Sequence, residues 1–146
     1  ERRLMAPDRP RNEQNRPEQD RPRDALGRPL PYGQPGVDTV PDVPRGDDET
    51  LRVAQQLLDD GMPFAAHEVL EARWKTCAAA DRRRWQALAQ AAVALTHLRR
   101  GNPTGAQRLA RRALTNGAAE SRPLLEHQLT AITEGHDLGL TVWPPA

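Results

Sequence analysis

The residues best suited to chemistry lie in one run, Pro63 to Ala78, PFAAHEVLEARWKTCA. At about 3.6 residues per helical turn, Phe64, His67, Glu71, Trp74 and Ala78 fall at i, i+3, i+7, i+10 and i+14 and form one lengthwise stripe. An imidazole and a carboxylate one turn apart can hydrogen-bond each other or present two ligands to a divalent metal such as zinc. A second polar line, Gln86, Gln90, Val93 and His97, runs through the apolar stretch that follows. If both stretches are helices packed side by side, His97, Gln90 and Gln86 become partners for His67 and Glu71. An inward Glu71 needs such partners, because an isolated buried carboxylate costs on the order of several kcal/mol.

Two readings of this constellation stay open. In the first, His67, Glu68, Glu71, Trp74, Gln86, Gln90 and His97 form a binding surface or a satisfied polar network that fixes the register of a helical core, with no catalytic residue, metal or cofactor. Glu68 is then an acid at the edge of the stripe. In the second, His67, Glu71 and His97 hold a divalent metal, and Glu68 is the general base of a metal-assisted hydrolase. The motifs favour the first. H-E-x-x-E lacks the second histidine of the H-E-x-x-H zinc pattern. A di-iron bundle needs two E-x-x-H segments, and the sequence has none. Trp74 and Trp85 read as core residues whose indole N–H groups can orient Glu71. Cys77 reads as a small buried hydrophobe without the basic neighbours of a nucleophile.

The elements that must position these residues are helices. Asp47, Asp48 and Glu49 place negative charge at the start of a first helix, which Gly61 ends. Pro63 opens a second, running to about Ala78. Asp81 is a good N-cap for a third and longest helix, which reaches Arg100 and stops at Gly101; its alanines and leucines make it apolar nearly all round, as a central helix must be. Asn102-Pro103 opens a fourth, where Gly105 and Ala106 are small enough for close approach to the third. Gly101, Asn102, Gly105 and Ala106 thus read as a structural turn. Ser121 with Pro123 starts a fifth, ended by Gly135, and residues 136–146 form a short extended tail that packs back on the bundle.

Composition sets the limits. The chain has 146 residues with a formal charge of +1 and a mean hydropathy of -0.78, which suits one domain with a solvated portion. The first 46 residues hold nine of the fourteen prolines and nine arginines against eight acids. They read as an extended or disordered arm, with residues 47–146 as the helical domain. Within the arm, Leu26, Leu30 and Tyr32 sit on a proline-stiffened backbone suited to lying along a groove. Neither part has the one-signed excess that drives nucleic-acid binding, so the arginine clusters read as solvated faces. One cysteine excludes an intrachain disulfide and suits a reducing, cytoplasmic setting; no apolar run approaches the length of a membrane span.

The combination Phe64-x-Ala66-His67-Glu68-Val69-Leu70-Glu71-x-x-Trp74, then Leu88-Ala89-Gln90-Ala91-Ala92-Val93-Ala94-Leu95, then Gly101-Asn102-x-x-Gly105-Ala106 resembles the small all-helical domain of unknown function family 309 over about Leu51 to Leu114. The resemblance implies a helical bundle and an unassigned biochemical role. The reading is an all-α, compact bundle of about five helices with an extended Pro/Arg-rich N-terminal arm. Its expected role is a non-catalytic interaction module, partnered by another protein or by a second copy through the arm, with no membrane or nucleic-acid partner. The metal-dependent hydrolase is the alternative.

Overall fold

The computed structural model describes residues 22–37, 40–41 and 43–144. Five α-helices follow in chain order: α1 (Asp47–Asp59), α2 (Pro63–Thr76), α3 (Arg82–Arg99), α4 (Pro103–Thr115) and α5 (Pro123–Thr133), with a 3-10 turn at Ala79–Asp81 before α3. The described residues form no strand beyond an isolated antiparallel bridge between Arg23 and Pro29. The fold is all-α, and among the described residues no helix is long and apolar enough to cross a membrane.

Local chemistry sets the helix ends. At the end of α1, Gly61 takes the left-handed conformation (φ +76°), and the Met62 N–H reaches back to the Leu57 carbonyl at 2.8 Å. This Schellman closure satisfies carbonyls that the last turn would leave open. It recurs after α3, where the Asn102 N–H donates to the His97 carbonyl at 2.9 Å. Proline stands in the first turn of α2, α4 and α5, where its missing N–H is not needed. Two expectations fail at the α2–α3 connection. Helix α2 ends at Thr76, not near Ala78: no glycine follows, Cys77 turns extended (φ -74°, ψ 167°), and Ala78 is exposed. Asp81 stands before α3 but makes no side-chain cap, because the 3-10 turn already holds it at helical angles rather than the extended ones of a capping residue.

Helix α3 lies at the centre, between α2 and α4 and touched by α5. Ala87, Ala91, Ala92 and Ala94 are sealed from solvent together with Trp85, Leu88 and Leu95. A helix can be enclosed on so many sides only when small side chains let its neighbours approach closely. From α2, Ala66, Val69 and Leu70 join the same buried core, and Leu125, Leu129 and Ile132 of α5 complete it.

The tail returns to the bundle as expected, and a single α1 side chain fastens it. The Gln55 carboxamide oxygen accepts the Val142 N–H at 2.6 Å and the Trp143 N–H at 3.1 Å, while its amide donates to the Leu140 carbonyl at 3.1 Å. Leu140 and Val142 are buried, whereas Leu138 stays exposed. Arg99 pairs with Asp137 at 2.9 Å and Arg122 donates to the Val142 carbonyl at 2.7 Å, so these two arginines fasten the tail to the bundle. Replacing Gln55 with alanine should cost about 1–3 kcal/mol, since buried tail amides lose their acceptor. A lowered melting temperature and faster amide exchange at 140–143 would verify this.

Candidate functional site

With Ala66 and Leu70 buried in the core, the Phe64–His67–Glu71 edge of α2 is left half-buried at the surface of the bundle. There the edge forms one wall of a cavity of about 570 Å³. The other wall comes from the arm: Pro22, Arg23, Asp24, Ala25, Val37, Val40, Pro41 and Arg45 line it opposite His67, Glu68, Glu71 and Lys75. Glu68 is exposed along this lining.

His67 and Glu71 do pair, with Nε2 and Oε2 2.7 Å apart, but the pair is half-buried rather than internal, at 18% and 33% side-chain exposure. Its third member is Lys75, whose Nζ lies 3.1 Å from the other Glu71 oxygen. Partial burial pulls the Glu71 pKa upward, yet the Lys75 hydrogen bond and the His67 and Lys75 charges outweigh it, so the pKa lies below the ordinary value of 4.5. His67 Nδ1 is buried without a hydrogen-bond partner.

The expected network across α2 and α3 is not assembled. Gln90 faces α4, where it accepts from Asn116 at 3.0 Å. His97 faces the α3–α4 turn, its Nδ1 3.2 Å from the Asn102 amide nitrogen. Gln86 is half-buried on α3. Trp74 packs half-buried against the core, and the indole nitrogens of Trp74 and Trp85 are buried without partners, so neither orients Glu71. The two histidines serve separate contacts: His67 pairs with Glu71 along α2, and His97 meets Asn102 at the α3–α4 turn. Among the described residues no group of three or more His, Cys, Asp or Glu is placed to hold a metal ion. The triad His67, Glu71 and His97 therefore does not fit one.

The Gly101–Ala106 turn has a specific construction. The Asn102 carboxamide oxygen caps α4 by accepting the Gly105 N–H at 3.1 Å, while its amide nitrogen donates to His97. Gly105 is small for a different reason than close approach of α4 to α3. A Cβ there would stand 2.6 Å from the Asn102 amide nitrogen, so glycine leaves the crossing space for the capping side chain. Ala106, by contrast, is fully buried in the core. Donation from the amide requires a lone pair on His97 Nδ1, hence a neutral ring. Burial first, then the charges of Arg100 and Arg108, lower the His97 pKa and favour the same state.

The described arm residues are not an extended rod. Residues 22–30 close into a turn in which the Gly27 N–H donates to the Asp24 carbonyl at 2.9 Å and the Leu30 N–H to the Pro22 carbonyl at 2.8 Å. The Asp24 carboxylate accepts the Leu26 N–H at 3.0 Å and the Arg28 N–H at 2.8 Å, and pairs with Arg28 Nε at 2.7 Å. What the turn inserts is Gly27 rather than a leucine. Gly27 is buried with φ +75°, and a Cβ there would lie 2.2 Å from Phe64 Cγ. The guanidiniums of Arg23 and Arg100 stand 5.4 and 5.7 Å from the Phe64 ring centroid. Arg100 Nε also donates to the Leu26 carbonyl at 2.8 Å. Leu26, Leu30 and Tyr32 are half-buried. Sequence reading missed Gly27, Arg23 and Arg100; the available signal was Asp24 three residues before Gly27, the pattern of a tight turn. The expectation for residues 1–21 lies outside the described residues.

The α2 wall of the cavity and the α3–α4 turn fall within residues 51–109, which match the family model described as a domain of unknown function (DUF309). Over these residues the chain is similar to the DUF309 family. No curated protein and no solved structure matches the chain. The DUF309 segment supplies Phe64, His67, Glu68, Glu71 and Arg100, whereas the arm wall and α5 lie outside it.

Two titrations check this geometry. Glu71's folded-state pKa is depressed, so its pairing adds stability above about pH 4.5 that is lost as pH falls through the lower folded value. Followed by carboxyl NMR, the Glu71 midpoint should rise toward 4.5 in His67→Ala and in Lys75→Ala, with the larger rise in the latter. Substituting Asn102→Asp keeps an α4 cap but sets a carboxylate beside His97, so the imidazole pKa should move upward; imidazole proton shifts against pH read this directly.

Proposed function

We propose that this chain is a non-catalytic interaction module, in which the α2 edge of the DUF309 bundle holds a folded-back protein segment and residues 22–37 are its resident occupant. In this reading residues 47–146 form the bundle domain and the arm is its docking element. The observation that carries it is the seat of Gly27 on Phe64, with the Leu26 carbonyl held by Arg100. Recognition of a carbonyl and a bare Cα is recognition of backbone, the usual means by which a surface holds a peptide segment. The half-buried His67–Glu71 pair and the exposed Lys75 line the cavity beside that seat and give it a charged margin.

Gly27→Ala forces a side chain into a left-handed conformation and into the Phe64 ring. Phe64→Ala removes the ring. Each should lower stability by about 0.5–3 kcal/mol. If both changes break one contact, the double variant loses less than the sum of the singles, with a coupling of at least ~0.5 kcal/mol in denaturant titrations. Simple additivity would mean the arm does not bind at Phe64 and would sink the reading.

A further inference from the structure

The turn at residues 23–28 is divided between residues that fold it and residues that read it. Asp24 and Arg28 close it from within, and Arg23 donates to the Gly27 carbonyl at 2.7 Å. The bundle contributes Phe64 and Arg100: the Phe64 ring meets the Gly27 Cα region and the Arg23 guanidinium, and Arg100 holds the Leu26 carbonyl. A segment that organises itself and is read mainly through its backbone is portable: the same site accepts it from another chain. Residues 37–46 tether it to α1, and about ten residues span up to roughly 35 Å when extended. Val43, Pro44 and Gly46 in that tether are exposed, so the turn can leave without unwinding α1.

The resident turn also underfills its site. Ala25 lines the cavity of about 570 Å³ together with Val69 and Ala72 of α2. Resting on the proposed interaction role, we infer that the Phe64–Arg100 seat is a receptor for a glycine-centred turn, Arg-Asp-apolar-x-Gly-Arg, presented by a partner chain with a larger apolar residue in place of Ala25, and that residues 23–28 compete for it in cis.

The test uses the full chain and a fluorescein-labelled synthetic peptide covering residues 22–34. In the wild type the tethered turn competes at an effective concentration near the millimolar range, which masks the seat. The Gly27→Val chain, checked for helical circular dichroism and for faster amide exchange across residues 24–30, should bind the peptide at least tenfold more tightly than the wild-type chain does. Adding Phe64→Ala to that chain should return binding to the wild-type level. A peptide carrying Gly27→Val should bind at least tenfold more weakly, and one carrying Ala25→Leu at least threefold more tightly. Should Gly27→Val fail to fold, the milder Gly27→Ala chain and peptide displacement of arm amide resonances in the wild type give the same readout.

A released arm with no peptide binding would overturn the receptor while leaving the docked arm intact as a structural element. Equal binding of the Gly27→Val peptide would overturn glycine readout, and no gain from Ala25→Leu would overturn the underfilled cavity. Arm amides already unprotected in the wild type would instead remove the proposed function and the receptor with it.

Discussion

Enclosure of α3 is the constraint that orders the rest of the molecule. Its faces meet α2, α4 and α5, and a helix so surrounded has little room for long side chains. Alanines at 87, 91, 92 and 94 satisfy that demand, while Trp85, Leu88 and Leu95 fill the spaces between helices. The contact also fixes the rotation of α2. With Ala66 and Leu70 committed inward, Phe64, His67 and Glu71 are left on the outer edge, where the arm meets them. The site is thus a consequence of core packing on the other side of the same helix.

Polar side chains inside this bundle act mainly as local joints. Asn102 links the last turn of α3 to the first of α4 by serving His97 and the Gly105 amide at once. Gln90 and Asn116 join α3 to the end of α4, and Gln55 holds three backbone groups of the tail. The Gln55 and Gln90 joints satisfy partly buried groups that would otherwise be penalised, and each joint links two elements. Separate pairs perform the linking role that a single continuous network could have performed.

The arm contact follows another logic. Phe64 offers a ring face to a position where any side chain would collide, and guanidiniums flank that face while one of them holds a carbonyl. Steric exclusion makes such a contact selective for glycine, and cation–π attraction with a charge-assisted hydrogen bond adds affinity. The neighbouring Glu71 is held ionised by Lys75 and His67, so it keeps its negative charge at the margin of the seat.

The sequence by itself determined the five helices, most of their limits, the central place of α3 and the family resemblance. Those features rest on glycines, prolines, capping residues and apolar periodicity, which act within a few positions of the residues they govern. It did not determine which edge of α2 would face α3. In an alanine-rich helix several faces are apolar enough to bury, and only the shape of the neighbours selects one. Nor did it show that Gly27 would meet Phe64, that Lys75 would join Glu71, or that His97 would turn away from His67. Only the tertiary structure decided those, because a contact between elements distant along the chain depends on how every intervening helix packs.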